Sequence, residues 1–238
     1  MSPSPSSIEP GAVSAPLDAV YARLAHAKFA DALWGHRLDV WSRDQAVRDT
    51  IGNRLGWLTA LEAVEPRVAE LVSFAERVKA DGFTDVVLLG MGGSSLAPEV
   101  LKQILGVSPG FPRFRMLDSV NPDEVREALA HAATSLFVFA SKSGSTIEPS
   151  VMAAEARRRV EAAGHTSWGS RFVAITDPES PLHQQARTAR FREIFVNPAD
   201  IGGRFSALSL FGMVPAALMG IPLDRIIGHA RGMADACR

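Results

Sequence analysis

The densest polar chemistry in the sequence lies in Ser141-Lys-Ser-Gly-Ser-Thr146, which sets four hydroxyls, one glycine and one cation within six residues. Short hydroxyls and free backbone amides can wrap a phosphate monoester, and a helix starting just beyond would favour its charge. The Gly-Lys-Ser/Thr order of a Walker loop is missing. Ordinary capping is the competing reading: Ser145-x-x-Glu148 matches a capping box and Pro149 suits a first helical turn, although the two place the helix start differently. Capping leaves Ser141, Lys142 and Ser143 unexplained, so phosphate binding is the preferred reading. A second segment, Gly90-Met-Gly-Gly-Ser-Ser95, lets backbone approach a ligand. It is close to a dinucleotide fingerprint, but Ser95 stands where glycine is expected, and Asp118 comes later than the usual acidic residue. A purely structural tight turn is the alternative. The third, Asp200-Ile-Gly-Gly-Arg-Phe-Ser206, ends in an apolar stretch. Its Arg204 is expected to be buried and to need an anionic partner, either a ligand or Asp200.

The six histidines, at 26, 36, 131, 165, 183 and 229, have no metal-ligand spacing and one cysteine to help them. No metal and no cofactor is expected. His183 comes nearest a strand end and is placed on a surface helix.

Positioning these loops requires a sheet. Short apolar runs at Val86–Leu89, Phe114–Leu117, Leu136–Ala140, Phe172–Ile175 and Ile194–Val196 alternate with helical patterns near 95–106, 122–132, 150–163 and 180–190. This predicts an α/β fold, a five-stranded parallel sheet flanked by helices, with strands buried on both faces. Ligands bind such sheets outside the carboxyl ends of the strands, where all three segments fall. Residues 17–80 read as a helical N-terminal region whose tryptophans, Trp34, Trp41 and Trp57, are core anchors. Residues 1–16, with four prolines and five serines, read as a disordered tail, and 81–238 as the sheet domain.

Composition narrows the classes. With 25 Lys+Arg against 26 Asp+Glu, 47% hydrophobic residues and mean hydropathy of +0.07, the chain reads as globular, without the basic field of a nucleic-acid or membrane binder. Cys237 alone makes no intrachain disulfide, and Met1-Ser-Pro-Ser-Pro lacks a secretory pattern, so a cytoplasmic location is expected. From Phe205 to Leu223 no residue is charged. Ser206, Ser209, Gly212, Pro215, Gly220 and Pro222 favour a buried helix there over a bilayer span.

In these three loops the sequence resembles the glucose-6-phosphate isomerase family. Asp200-Ile-Gly-Gly-Arg-Phe-Ser-Ala-Leu-Ser209, with Gly212 and Pro215-Ala-Ala-Leu218 beyond it, is similar to that family's long signature. Gly90–Ser94 and Ser141–Glu148 resemble its two sugar-phosphate loops, and the similarity runs from about 84 to 223. The resemblance implies a sugar isomerase (SIS) domain with flavodoxin-like strand order. It places the substrate phosphate on Ser141, Ser143, Ser145 and Thr146, Lys142 at the sugar, and Gly92, Gly93, Ser94 and Gly203 along the sugar chain. Arg204 would stabilise the cis-enediolate. Glu148 would lie at the ligand edge near a sugar hydroxyl, as the one carboxylate with a claim to act as base. A homodimer is also implied.

The family's own base, ring-opening histidine and further lysine belong to a second SIS domain, so the chain is expected to be the N-terminal half of such an enzyme, inactive alone. Asn53-Arg-Leu-Gly-Trp-Leu58 resembles the isomerase half of bacterial transaldolase–isomerase fusions. The alternatives are a non-catalytic SIS domain that senses a phosphosugar and, disfavoured by Ser95, a dinucleotide-binding domain.

Overall fold

The computed structural model describes residues 14–237. The tail expected over 1–16 lies outside the described residues except for 14–16, which open the first helix. Residues 14–52 with 234–237 form one compact unit and residues 53–233 another.

The first unit holds α1 (Ser14–His26), α2 (Phe29–Trp34), a 3-10 turn at Leu38–Val40 and α3 (Gln45–Gly52). Ala32 is its one buried residue among those described. The expectation of tryptophan core anchors is therefore corrected. Helices this short enclose no core, so Trp41 stays 45% exposed and meets Phe29 edge-on at 5.0 Å. Trp34 is half-buried and donates its indole N–H to the Cys237 carbonyl.

The second unit runs α4 (Ala60–Val64), α5 (Val68–Ala80), β1 (Asp85–Gly90), α6 (Leu96–Leu105), β2 (Arg113–Leu117), α7 (Pro122–Ala128), β3 (Ser135–Ala140), α8 (Ile147–Ala162), β4 (Phe172–Thr176), α9 (Pro181–Thr188), β5 (Glu193–Val196) and α10 (Leu210–Leu218), followed by α11 (Leu223–Ala236). Thus α4 and α5, which the sequence groups with the helical region over 17–80, belong to the sheet-bearing unit. Each expected strand forms within one residue of its expected ends. The helix expected over 122–132 is shorter, stopping at Ala128 before a 3-10 turn at Ala132–Thr134.

All strand pairs are parallel, in the order β2-β1-β3-β4-β5. This is the flavodoxin-like order, whose switch point lies between β1 and β3. β1, β3 and β4 are buried along their whole length, as continuous Val/Leu/Phe/Ile runs dictate. Their residues divide between two cores. Val87, Leu89, Phe137, Phe139, Phe172 and Ala174 pack with Met152, Ala153, Ala156 and Val160 of α8 and with Leu182 and Ala186 of α9. On the other face Phe74 of α5 meets Phe195 of β5 edge-on at 5.2 Å, and α10 packs against both α5 and α6.

The uncharged run becomes a 3-10 turn at Gly203–Leu208 followed by α10, all nine of whose residues are buried. Among the described residues no helix is long and apolar enough to cross a membrane. At the strand entrances Asp85 is 1% exposed and accepts from Arg113 (2.8 Å) and Arg115 (3.1 Å). Burial pushes its pKa up, but hydrogen bonds from Arg113, Thr84 and Arg115 outweigh burial and hold it below the usual carboxylate value.

Candidate functional site

The carboxyl ends of the strands carry the three loops, and the chain ties them together. After β1 the backbone turns at Gly92 and enters a 3-10 turn over Gly92–Ser94. The loop after β5 returns across the sheet edge until Gly203 lies against Gly93: a Cβ on Gly93 would come within 2.5 Å of the Gly203 carbonyl. A glycine at 93 is what permits this approach, because a Cβ on Gly203 would meet the Gly93 α-carbon at an ordinary 3.5 Å. Ser206, 3% exposed, holds the contact, its Oγ lying 2.8 Å from the Gly93 carbonyl and 2.7 Å from that of Gly203. Asn197, also buried, fixes the far end of the loop by accepting from the Leu210 amide at 3.1 Å, which anchors the start of α10.

The hydroxyl-rich loop follows β3, the neighbour of β1 across the switch point. Ser141 is buried and its Oγ accepts from the Gly144 amide at 3.2 Å. Gly144 sits at φ +68° with its α-carbon against Ser180 and Leu182 at the start of α9, so no side chain fits. Ser143 Oγ accepts from both the amide and the hydroxyl of Ser145, at 3.2 and 3.0 Å. The helix begins at Ile147 with Thr146 as N-cap and no side-chain cap bond. Ser145 therefore does not close the capping box proposed with Glu148, because the helix starts one residue later than that box requires. Pro149 does occupy the first turn, and the hydroxyls of Ser143, Ser145 and Thr146 are not used as caps.

Lys142 is the keystone of this edge. Its ammonium donates to Asp177 Oδ2 at 2.5 Å and to the Ala199 carbonyl at 2.6 Å, joining the loops after β3, β4 and β5. Asp177 Oδ1 is buried with no hydrogen-bond partner. Burial pushes the Asp177 pKa up, against the hydrogen bond and charge of Lys142 and the charge of Arg54. Sequence reasoning assigns no role to Asp177 or Arg54. Asp177 does lie in the Thr176–Pro178 strand-end loop, which is where a search confined to such ends would find it.

Arg204 departs from expectation. It is exposed, not buried, and makes no ion pair with Asp200 or with any other described residue. In the tight turn over Gly203–Leu208 only Ser206 points inward, so Arg204 and Phe205 are presented outward. Phe205 stacks on Trp57 at 5.7 Å, and the Asp200 side chain packs over Gly56. Glu148, half-buried, sits on the first turn of α8 beside the hydroxyl loop. Ser94 is buried behind Gly93, while Gly92 is exposed at φ +53°. Ser95, 1% exposed, directs its Oγ to the Gly92 carbonyl at 3.1 Å and closes its own turn. His183 is half-buried on α9, accepting from the Glu179 amide. Among the described residues no three His, Cys, Asp or Glu side chains group to hold a metal.

The edge therefore presents an exposed guanidinium, a loop of uncapped hydroxyls at a helix start, and an ammonium held between loops. This is suited to a phosphorylated ligand that gains negative charge elsewhere on its skeleton.

A family model described as phosphoglucose isomerase matches residues 59–227. A glucose-6-phosphate isomerase of Parasynechococcus marenigrum (strain WH8102) is 35% identical over 203 residues, covering 82% of this chain and 35% of that protein. One of Acaryochloris marina (strain MBIC 11017) is 33% identical over 208 residues, covering 83% of this chain and 38% of that protein. The chain thus spans little more than a third of the length of these curated relatives. Among solved structures, a hypothetical protein from Thermus thermophilus superposes with a TM-score of 0.74 at 30% identity, over 90% of this chain and 49% of that one. A glucose-6-phosphate isomerase from Chlamydia trachomatis gives 0.57 at 27% identity, over 78% and 34%.

Proposed function

The chain belongs to the phosphoglucose isomerase family, and from that membership we propose that it forms the sugar-phosphate-binding part of an aldose–ketose isomerase acting on glucose 6-phosphate and fructose 6-phosphate. The observation that carries this reading is the convergence of three loops on one sheet edge: Gly93 against Gly203, and Lys142 bridging to Asp177 and Ala199. Ser141, Ser143, Ser145 and Thr146 take the phosphate, with the N-terminus of α8 behind them. Lys142 and the backbone of Gly92, Gly93, Ser94 and Gly203 line the sugar.

The reaction moves a proton between adjacent carbons through a cis-enediolate, so negative charge builds on oxygen. Arg204, free of any described protein anion, supplies the compensating charge, and its fixed positive group acts most strongly once that charge has formed. No carboxylate of these residues is assigned as the base. Asp177 is committed to Lys142, and Glu148 sits on the first turn of α8, just after the phosphate loop. Cytoplasmic location and a homodimer are part of the same proposal.

A phosphosugar-sensing module without catalysis would use the same hydroxyl loop but has no need of Arg204. Calorimetry on this chain tests binding. Fructose 6-phosphate should bind with Kd near ~1 mM, about 4 kcal/mol, and unphosphorylated fructose should not. Equal heats from both sugars would refute the phosphate assignment.

A further inference from the structure

The amino edge of the sheet, at the other end of the strands from the sugar loops, holds a cavity of about 280 Å³. Its walls are residues that lead into four strands: Phe83 ahead of β1, Thr134 ahead of β3, Arg171 ahead of β4 and Arg192 ahead of β5. Strands of five or six residues, rising about 3.3 Å each, separate this cavity from the sugar edge by roughly 16–20 Å. One molecule of sugar phosphate does not reach both.

Two guanidinium groups face the cavity, and both lie over the Phe83 ring, Arg171 at 5.4 Å and Arg192 at 5.2 Å from its centroid. Arg192 is paired with Asp81, the one carboxylate lining the cavity. Arg171 is half-buried and forms no hydrogen bond or ion pair with any described residue. Burial lowers the pKa of both arginines, and Arg77 adds to that at Arg192. A cation withdrawn from water, with a five-donor fork and no anion of its own, is unfavourable unless something supplies the anion. The volume falls just below that of sites for drug-sized molecules, which restricts the occupant to a compact one.

We propose that this cavity is a second anion site, binding a compact oxyanion (orthophosphate, a small phosphate ester or a short polycarboxylate) through a bidentate contact from Arg171, with Arg192 as the second cation.

Calorimetric titration of the whole chain with inorganic phosphate, and separately with citrate, tests it in four proteins: unaltered, Arg171→Gln, Arg171→Lys, and Ser143→Ala with Thr146→Val. The expected result is binding weakened at least about tenfold by Arg171→Gln and less by Arg171→Lys, which keeps the charge without the fork. The altered hydroxyl loop should lose only the phosphate bound at the sugar edge and retain the Arg171-dependent binding. Stronger binding of phosphate than citrate identifies a phosphoryl ligand, and the reverse a polycarboxylate; either supports the site. Three results overturn the proposal: no heat from either anion at about 10 mM, an affinity indifferent to Arg171→Gln in a protein that melts normally, or loss only when the hydroxyl loop is altered.

Discussion

Replacing Gly93 by alanine tests the central contact of the sugar edge. The added methyl would lie 2.5 Å from the Gly203 carbonyl carbon and oxygen, where ordinary contact begins at 3.4 Å, so the two loops must part by about 0.9 Å. That movement stretches the 2.8 Å bond from Ser206 to the Gly93 carbonyl beyond hydrogen-bonding range. A lost hydrogen bond costs about 1 kcal/mol and forced overpacking about 1–3 kcal/mol, so a total of roughly 2–4 kcal/mol is expected. For a domain of this size that lowers the melting temperature by roughly 4–16 °C. Fructose 6-phosphate binding should be lost with it, because the sugar backbone contacts move. Gly92→Ala is the control. It has the same residue change at φ +53° but nothing within 4 Å, so only backbone strain of about 1 kcal/mol applies. Thermal melts and calorimetry read both variants. Equal losses in the two, or a Gly93→Ala melt within about 1 °C of the parent, would refute the close-approach argument.

Arg204→Ala, an exposed and unpaired position, should change stability by less than about 0.5 kcal/mol, yet in a full-length enzyme lower kcat far more than it raises KM. Thr146→Val should instead mainly raise KM, because phosphate is present in ground and transition states alike; steady-state kinetics showing the reverse would exchange the two roles. In a coupled assay residues 1–238 alone should show no turnover, since positioned acid–base catalysis supplies ~10²–10⁴-fold; full activity abolished by Glu148→Gln would make Glu148 the base. Two carboxylates should give opposite pH dependences in urea unfolding. Asp85, its pKa lowered, contributes stability above the usual carboxylate pKa near 4 that is lost as pH falls, so Asp85→Asn costs about 1–3 kcal/mol at pH 7 and flattens the acid limb. Asp177, its pKa raised, contributes stability at low pH that is lost as pH climbs above about 4, so Asp177→Asn should gain on the parent protein between pH 4 and 7.

The strands were legible because a parallel sheet covered on both faces demands unbroken apolar runs, and Val86–Leu89 or Phe172–Ile175 admit little else. The buried α10 was legible for a similar reason: nine apolar residues gain by leaving water once a helix satisfies their backbone. Direction within a tight turn was not. Whether Arg204 points in or out depends on which residue of Gly203–Leu208 faces Gly93, and Ser206 takes that place. Nor does local pattern reveal partners far along the chain, such as Lys142 with Asp177 and Ala199. The capping box at Ser145 matched in spacing but lost to a start at Ile147. The tryptophans are not legible from type alone, because aromatic size does not ensure burial and helices as short as α2 and α3 have no interior to offer.

The placement of α10 bears on how the protein is made. A ribosome delivers α5 and α6 early and α10 only after all five strands. Until then the sides of α5 and α6 that α10 will fill face solvent, and the apolar segment destined for them is still unsynthesised. A chain truncated before Leu210 holds all five strands but leaves its apolar layer open, which is the kind of surface that recruits chaperones or aggregates. Rapid translation through residues 197–218 should therefore shorten the vulnerable interval, and rare codons there should lengthen it.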